Sequence, residues 1–127
     1  MSIQDKVAIV TGGTHGIGRA VVLGLAEKGA KVVFTYLKSD ESAAIVLDEI
    51  KELGGEAEAV KAEARDPGEA KRVVEETVRK FGRVDILVND AGEAMAKALK
   101  GRKGLAVVNI QQAGGTAEEV LSFLEDL

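Results

Sequence analysis

Residues 7–19 have the sequence VAIVTGGTHGIGR, in which an apolar run leads into a glycine-rich loop. The run is apolar throughout, which is typical of a strand buried on both faces of a parallel sheet. Gly12 permits a tight turn, Gly16 lets a diphosphate approach the backbone, and Gly18 allows close packing of the following helix on the strand. The positive end of that helix favours an anion. This segment therefore predicts a strand, a phosphate-binding turn and a helix, against the alternative of a glycine-rich turn without ligand.

The same change from apolar run to amphipathic stretch occurs five times along the chain. Strands are predicted over 6–12, 31–36, 56–62, 84–89 and 105–110, and helices over 17–28, 40–53, 67–81, 93–100 and 117–126. Asp66, followed by Pro67, and Thr116 have the residue types of helix N-caps. The third strand alternates charged and small residues, a pattern that suits a sheet edge. The alternation predicts a single α/β domain over 1–127, a doubly wound five-stranded parallel sheet with strand order 3-2-1-4-5.

Composition excludes several classes of function. The chain has 127 residues, a net charge of −4, no cysteine and one histidine, His15. A disulfide scaffold, a thiolate metal site and a Ser-His-Asp triad are therefore not expected. The basic cluster over 97–103 is small and lacks aromatic residues, so nucleic-acid binding is not expected either. No apolar run reaches about 20 residues and the first residues are polar, so we expect no membrane segment and a cytoplasmic location.

Three stretches of the chain resemble the short-chain dehydrogenase/reductase family. They are TGGTHGIG at 11–18, KELGGEA at 51–57 and VDILVNDAG at 84–92, the last with Asp90 where the family has asparagine. The chain is most similar to 3-oxoacyl carrier-protein reductases. The resemblance is close over 1–92 and weak over 93–127. It implies a Rossmann-like, dinucleotide-binding domain.

By this resemblance, Gly12, Gly16 and Gly18 are expected to hold a pyrophosphate, and Glu63 to contact an adenine edge. Asn89, Ala91 and Gly92 are expected to line the ribose and the floor of the cleft. The full set of candidate cofactor-binding residues is Thr11, Gly12, Thr14, His15, Gly16, Ile17, Gly18, Tyr36, Lys38, Glu63, Asn89, Ala91 and Gly92.

The second predicted strand bears on the choice of cofactor. A preference for NAD usually needs a carboxylate at the end of this strand, where it binds the ribose 2′-hydroxyl. Here the strand ends FTYLK, and no acid occurs before Asp40. Lys38 and His15 are candidates to face a 2′-phosphate, so we expect NADP rather than NAD. The alternative is that both are exposed side chains without ligand.

The catalytic residues that the resemblance implies are not matched in this sequence. The family has a serine and a Tyr-x-x-x-Lys motif, whereas the only tyrosine, Tyr36, is followed four residues later by Asp40. Gln111 and Gln112 stand where the family tends to have serines. Three hypotheses remain open: a dinucleotide-binding module without turnover, an engineered, chimeric or shortened scaffold without ligand, and an oxidoreductase using Gln112, Asp90 or Tyr36 as proton donor.

The fifth predicted strand is apolar and has no charged residue over 105–110. An uncovered strand of this kind exposes unpaired backbone groups and invites association. We therefore expect it either to pair with a second copy of the chain, as a homodimer through this strand or the last helices, or to be shielded by the last helix.

Overall fold

The computed structural model describes residues 1–90, 92–110 and 113–127. Strands and helices alternate along the whole chain, as the hydrophobic pattern predicts. The elements are β1 (Val7–Val10), α1 (Gly16–Glu27), β2 (Lys31–Tyr36), α2 (Asp40–Glu52), β3 (Glu56–Lys61), α3 (Pro67–Phe81), β4 (Ile86–Asn89), α4 (Ala94–Ala98), β5 (Ala106–Asn109) and α5 (Ala117–Glu125).

The five strands form one parallel sheet in the order β3-β2-β1-β4-β5. β2 and β3 pair over six residues, from Lys31↔Glu56 to Tyr36↔Lys61, whereas β4 and β5 pair over four. One face of the sheet is covered by α1, α2 and α5, and the other by α3 and α4, each with its own apolar core. The predicted order 3-2-1-4-5 and the doubly wound α/β class are confirmed.

Side-chain caps fix where the helices begin. The carboxylate of Asp66 accepts a hydrogen bond from the backbone N–H of Glu69 at 2.9 Å, with Pro67 as the first helical residue. Thr116 caps α5 in the same way, through the N–H of Glu119 at 3.1 Å. Both predicted caps are confirmed. Ser39 caps α2 through the N–H of Ser42, an interaction that is not among the predicted caps.

The apolar sequence of β5, like that of β1, predicts burial on both faces of the sheet, and the structure corrects this prediction for β5. Val108 is buried against α5, but Val107, which points to the other face, is 42% exposed. The reason is that β5 ends the sheet and the helix preceding it, α4, has five residues. The opposite edge is formed by β3, whose Glu56 and Lys61 are exposed, as the charged pattern predicts.

None of the helices within 1–90, 92–110 and 113–127 has both the length and the apolar character that a bilayer crossing requires.

Candidate functional site

A cleft of about 420 Å³ opens at the carboxyl ends of β1, β2 and β3. Parallel strands all end at one edge of the sheet, and ligands of such folds bind in the crevice outside that edge. The cleft is lined by Gly12, Thr14, His15, Thr35, Tyr36, Leu37, Lys38, Ala62, Glu63, Ala64, Arg65 and Asp90. The loops that follow three neighbouring strands thus meet at one place.

The glycine loop forms one wall of this cleft. Gly12 and Gly16 have φ of 74° and 53°, the left-handed region that favours glycine, and a Cβ added to either would touch nothing. Gly18, in contrast, packs so closely that an added Cβ would overlap the carbonyl oxygen of Gly12. The loop is held to β2 by the N–H of Gly12, which donates to Thr35 Oγ1 at 3.0 Å. The space in front of the loop is therefore open, and its rear is tightly packed.

The first turn of α1 points its N–H groups toward this loop. His15 is the N-cap, yet its side chain makes no capping hydrogen bond, and the first turn has no acidic residue. Instead, His15 Nδ1 lies 2.8 Å from Thr14 Oγ1. The N-terminal end of a helix carries a partial positive charge, which here no side chain of the helix neutralises.

The end of β2 forms the second wall. The hydroxyl of Tyr36 donates to Asp40 Oδ1 at 2.8 Å, and Lys61 Nζ lies 3.6 Å from the same oxygen. The hydrogen bond to Asp40 raises the pKa of Tyr36, and slight desolvation and the nearby negative charge add to this effect. Asp40 is not among the lining residues, whereas Lys38 is. The acid nearest the end of β2 is therefore engaged by Tyr36 and Lys61.

The third wall follows β3 and contains an ion pair. Glu63 Oε1 accepts from the backbone N–H of Arg65 at 3.0 Å and from its Nε at 3.2 Å. These hydrogen bonds from Arg65 hold the pKa of Glu63 below its usual range. The aliphatic part of Arg65 lies against Gly92, where an added Cβ would stand 3.4 Å from its Cγ. The wall therefore presents an ionised carboxylate and a guanidinium side by side.

Thr11 and Asn89 tie the ends of the central strands together. Both are buried, and Thr11 Oγ1 accepts from the N–H of Asp90 at 2.7 Å while donating to Asn89 Oδ1 at 3.4 Å. Asn89 Nδ2 donates to the carbonyl of Gly92 at 2.6 Å and to Asn109 Oδ1 at 3.4 Å. These side chains join β1, β4 and β5 rather than line the cleft.

The structure brings together about half of the site residues predicted from the sequence. Those that line the cleft are Gly12, Thr14, His15, Tyr36, Lys38 and Glu63. Those that are described but do not line it are Thr11, Gly16, Ile17, Gly18, Asn89 and Gly92. Ala91, Gln111 and Gln112 lie outside the described residues.

Five lining residues are not among those predicted. They are Thr35, Leu37, Ala62, Ala64 and Arg65, whereas Asp90, which also lines the cleft, is predicted only as a candidate proton donor. The signal that identifies them is their place in the chain, because each lies at or just after the carboxyl end of a strand. Among the residues that the structure describes, no three His, Cys, Asp or Glu side chains are grouped to hold a metal ion.

The chain is similar to proteins of one family along most of its length. A family model described as short chain dehydrogenase matches residues 6–121. The chain is 45% identical over 93 residues to the short-chain dehydrogenase/reductase FrzI of Cladobotryum sp, covering 73% of this chain and 36% of that protein. It is 45% identical over 89 residues to the 3-oxoacyl-(acyl-carrier-protein) reductase FabG of Staphylococcus aureus strain Mu50, covering 70% and 36%.

Solved structures extend this likeness to the fold. A short chain dehydrogenase from Burkholderia cenocepacia J2315 in complex with NADP is 44% identical with a TM-score of 0.68, covering 72% of this chain and 38% of that one. A variant short-chain dehydrogenase/reductase of Serratia marcescens is 33% identical with a TM-score of 0.69, covering 96% and 52%. The chain thus spans 36% of the length of each curated relative named above. With the sheet order, the glycine loop and the family match from residue 6 to 121 in agreement, the chain belongs to the short chain dehydrogenase family.

Proposed function

We propose that this chain binds a nicotinamide dinucleotide, NADP in preference to NAD, without turning over a substrate by itself. The observation that carries the proposal is the cleft at the carboxyl ends of β1–β3, in which His15 and Lys38 face the space beside an open glycine loop. Family membership supports the class of ligand. A solved relative is in complex with NADP, and another, a blue fluorescent protein from a metagenomic library, is in complex with NADPH.

The residues present fit such a ligand. Gly12 and Gly16 leave room in front of the loop, because a Cβ at either position would meet no neighbour. The first turn of α1 offers backbone N–H groups and no acidic side chain, as a diphosphate requires. We assign the base to the wall formed by Glu63 and Arg65. When bound, the cofactor supplies hydride transfer at its nicotinamide ring.

The preference for NADP rests on the charges at the end of β2. A ribose 2′-hydroxyl is usually bound by a carboxylate at this position, whereas a 2′-phosphate is bound by cations. Lys38 lines the cleft, and the first acid after β2 in the sequence, Asp40, is hydrogen-bonded to Tyr36 outside the lining. This arrangement favours the phosphate over the free hydroxyl.

The absence of turnover is proposed from the sequence of this chain. Its one tyrosine, Tyr36, uses its hydroxyl to bind Asp40, and no lysine stands four residues after it. Asp90 lines the cleft, but its backbone N–H is bound to Thr11 and no described cation pairs with its carboxylate.

We also propose that two copies of the chain associate through the β5 end of the sheet.

Calorimetric titration with NADPH and NADH tests the binding proposal. We expect saturable binding of NADPH, loss of that binding in Gly16→Asp, and a decrease of about tenfold or more in Lys38→Glu, since one charged contact is replaced by repulsion. Lys97→Glu is the matched control, because Lys97 is exposed on α4, outside the cleft. A folded wild-type protein that binds neither cofactor would refute the proposal, as would equal losses in the Lys38 and Lys97 variants.

A further inference from the structure

The two edges of the sheet differ in charge. At the β3 edge, Glu56 and Lys61 are exposed and Glu58 is partly exposed. β5, at the other edge, has no charged residue over Ala106–Asn109. Charged side chains on an edge strand discourage pairing with another chain, and an uncharged edge lacks that protection. Only the β5 edge is therefore suited to accept a further strand.

The backbone of β5 shows which of its residues point outward. The N–H of Ala106 donates to Asp85 O at 2.9 Å, and that of Ile110 to Asn89 O at 3.3 Å, so these residues face the neighbouring strand. Because successive residues of a strand alternate, Val107 directs its N–H and C=O away from β4. Its side chain is also 42% exposed. Val107 thus offers a donor, an acceptor and an apolar surface at one point of the edge.

Beside this edge, α5 has an outer flank with an exposed aromatic ring. The side of α5 that faces α1 is marked by Leu121, which packs on Gly24, and by Glu125, whose Oε1 lies 3.0 Å from Lys28 Nζ. At about 100° per residue, Phe123 lies on roughly the opposite side of the helix from both. α1 lies toward the centre of the sheet, so Phe123, which is 45% exposed, lies on the flank beyond β5.

The charges around β5 are arranged in two groups of opposite sign. The loop before the strand carries Lys100, Arg102 and Lys103, all exposed, while α5, which begins after the strand, has Glu118 and Glu119 in its first turn. The cations lie at the amino end of β5 and the acids near its carboxyl end. An antiparallel second copy would place each group near the opposite group of its partner.

We propose that two copies of this chain pair antiparallel through β5, about a two-fold axis at Val107. The inference gives the surface and register for the self-association stated under the proposed function, and it rests on that proposal. The two Val107 residues exchange their backbone hydrogen bonds, which joins the two sheets into one. Phe123 of each copy packs against the partner's α5, and the basic loops meet the acidic first turns. Such an interface is isologous, as in most dimers of identical chains.

A cysteine cross-link tests the register directly, because the chain has no cysteine of its own. Opposed hydrogen-bonded residues of antiparallel strands have Cα atoms about 5.5 Å apart, within the range of about 4.4–6.8 Å for disulfides. We expect Val107→Cys to oxidise to a covalent dimer. The matched control is Ile45→Cys on α2, where the side chain is 51% exposed at the far end of the sheet. Equal cross-linking of both variants would overturn the proposed register.

Sedimentation velocity over a range of concentrations tests the interface without a cross-link. We expect the wild-type protein to dimerise, and Val107→Lys and Phe123→Lys each to raise the dissociation constant at least about tenfold, with Ile45→Lys unchanged. A wild-type protein that stays monomeric at every concentration would refute the interface. NADPH titration of the wild-type protein beside its sedimentation separates the two proposals: a wild type that binds NADPH but stays monomeric refutes only the interface, and one that associates without binding NADPH refutes only the cofactor site.

Discussion

Both ends of the sheet consist of parallel strands, and they differ in what the residues at and after the ends of those strands contact. At the β2–β3 end, the residues after the strands face open space, and Lys38, Glu63 and Arg65 line the cleft. At the β4–β5 end, the polar residues that end the strands bind one another, since Asn89 Nδ2 donates to Asn109 Oδ1. One end therefore presents charged groups to an open cleft, and the other uses its polar groups to hold strands together.

In this chain the charged residues after β2 and β3, which are Lys38, Glu63 and Arg65, line the cleft and take no part in the apolar core. The inner strands β1, β2 and β4 are largely buried, whereas the edge strands β3 and β5 are each partly exposed. Of the charged residues that line the cleft, Lys38, Glu63 and Arg65 follow β2 and β3, and Asp90 follows β4. Substitutions can therefore be chosen that affect stability and binding together, stability alone, or binding alone.

Gly18→Val is expected to have the largest effect, because it disturbs both the packing of α1 on the sheet and the cleft that distinguishes the two ends. A Cβ at this position overlaps the carbonyl oxygen of Gly12, so α1 must move away from β1 and the glycine loop must distort. We expect a loss of about 3 kcal/mol in the free energy of unfolding, typical of severe overpacking, and no measurable binding of NADPH. Chemical denaturation and calorimetry measure the two. Gly68→Ala, in the first turn of α3, is the control: it should leave NADPH binding unchanged and alter the free energy of unfolding by no more than about 1 kcal/mol.

Thr11→Val tests the polar ties at the centre of the sheet. Thr11 is 1% exposed, and its hydroxyl accepts the N–H of Asp90 at 2.7 Å. Valine has a similar shape but leaves that N–H unpaired, so we expect a loss of about 1–3 kcal/mol in the free energy of unfolding. Thr11→Ser keeps the hydroxyl and should retain most of the unfolding free energy that the valine variant loses. A Val variant as stable as the Ser variant would show that the tie is not stabilising.

Asp85 gives a pH-dependent contribution that is separate from the cleft. Desolvation raises the pKa of Asp85, but hydrogen bonds from Arg83 at 2.8 Å and from the N–H of Val7 at 2.9 Å outweigh it and lower the pKa overall. A pKa lower in the folded than in the unfolded state stabilises the protein above the unfolded value of roughly 4, and that stabilisation is lost as pH falls through the folded value.

We therefore expect Asp85→Asn to cost about 1 kcal/mol of unfolding free energy at pH 7 and progressively less below pH of roughly 4. Denaturation curves from pH 7 to pH 3 measure this difference. NADPH affinity should not change, because Asp85 lies at the amino end of β4, away from the cleft. Asp48→Asn, exposed on α2, serves as the control, and a pH-independent difference for Asp85→Asn would contradict the account.

Tyr36→Phe should give the smallest effect and weaken the preference for NADP. It removes the hydroxyl that binds Asp40, so that this carboxylate keeps only Lys61, at 3.6 Å, as a partner and can turn toward the ribose. We expect the ratio of NADPH to NADH affinity to fall about threefold, the size expected for one exposed hydrogen bond. Parallel titrations of the wild type, Tyr36→Phe and the double variant with Asp40→Asn measure it. If the ratio of NADPH to NADH affinity falls equally in the double variant, Asp40 is not the cause of the change in cofactor preference.

Most of the fold could be predicted from the sequence because strand, glycine and cap signals are local. Val7–Val10 and the charged alternation of β3 are examples, and the structure agrees with both. The exposure of Val107 could not be predicted, since it depends on how far α4 reaches across the sheet. The place of Arg65 after β3 marks it as a candidate, but its contact with the cleft depends on β3 lying beside β2, which local patterns do not give.

The most direct test compares NADPH with 2′-phospho-ADP-ribose, which lacks only the nicotinamide ring, in calorimetric titrations of the wild-type protein. If the β2–β3 end supplies the binding energy, the two ligands should have dissociation constants within about threefold of each other, because the missing ring makes few contacts. If NADPH binds a hundredfold or more tightly, a difference of about 2.7 kcal/mol, the nicotinamide ring supplies much of the binding energy. That result would place the binding energy at the other end of the sheet and contradict the proposal.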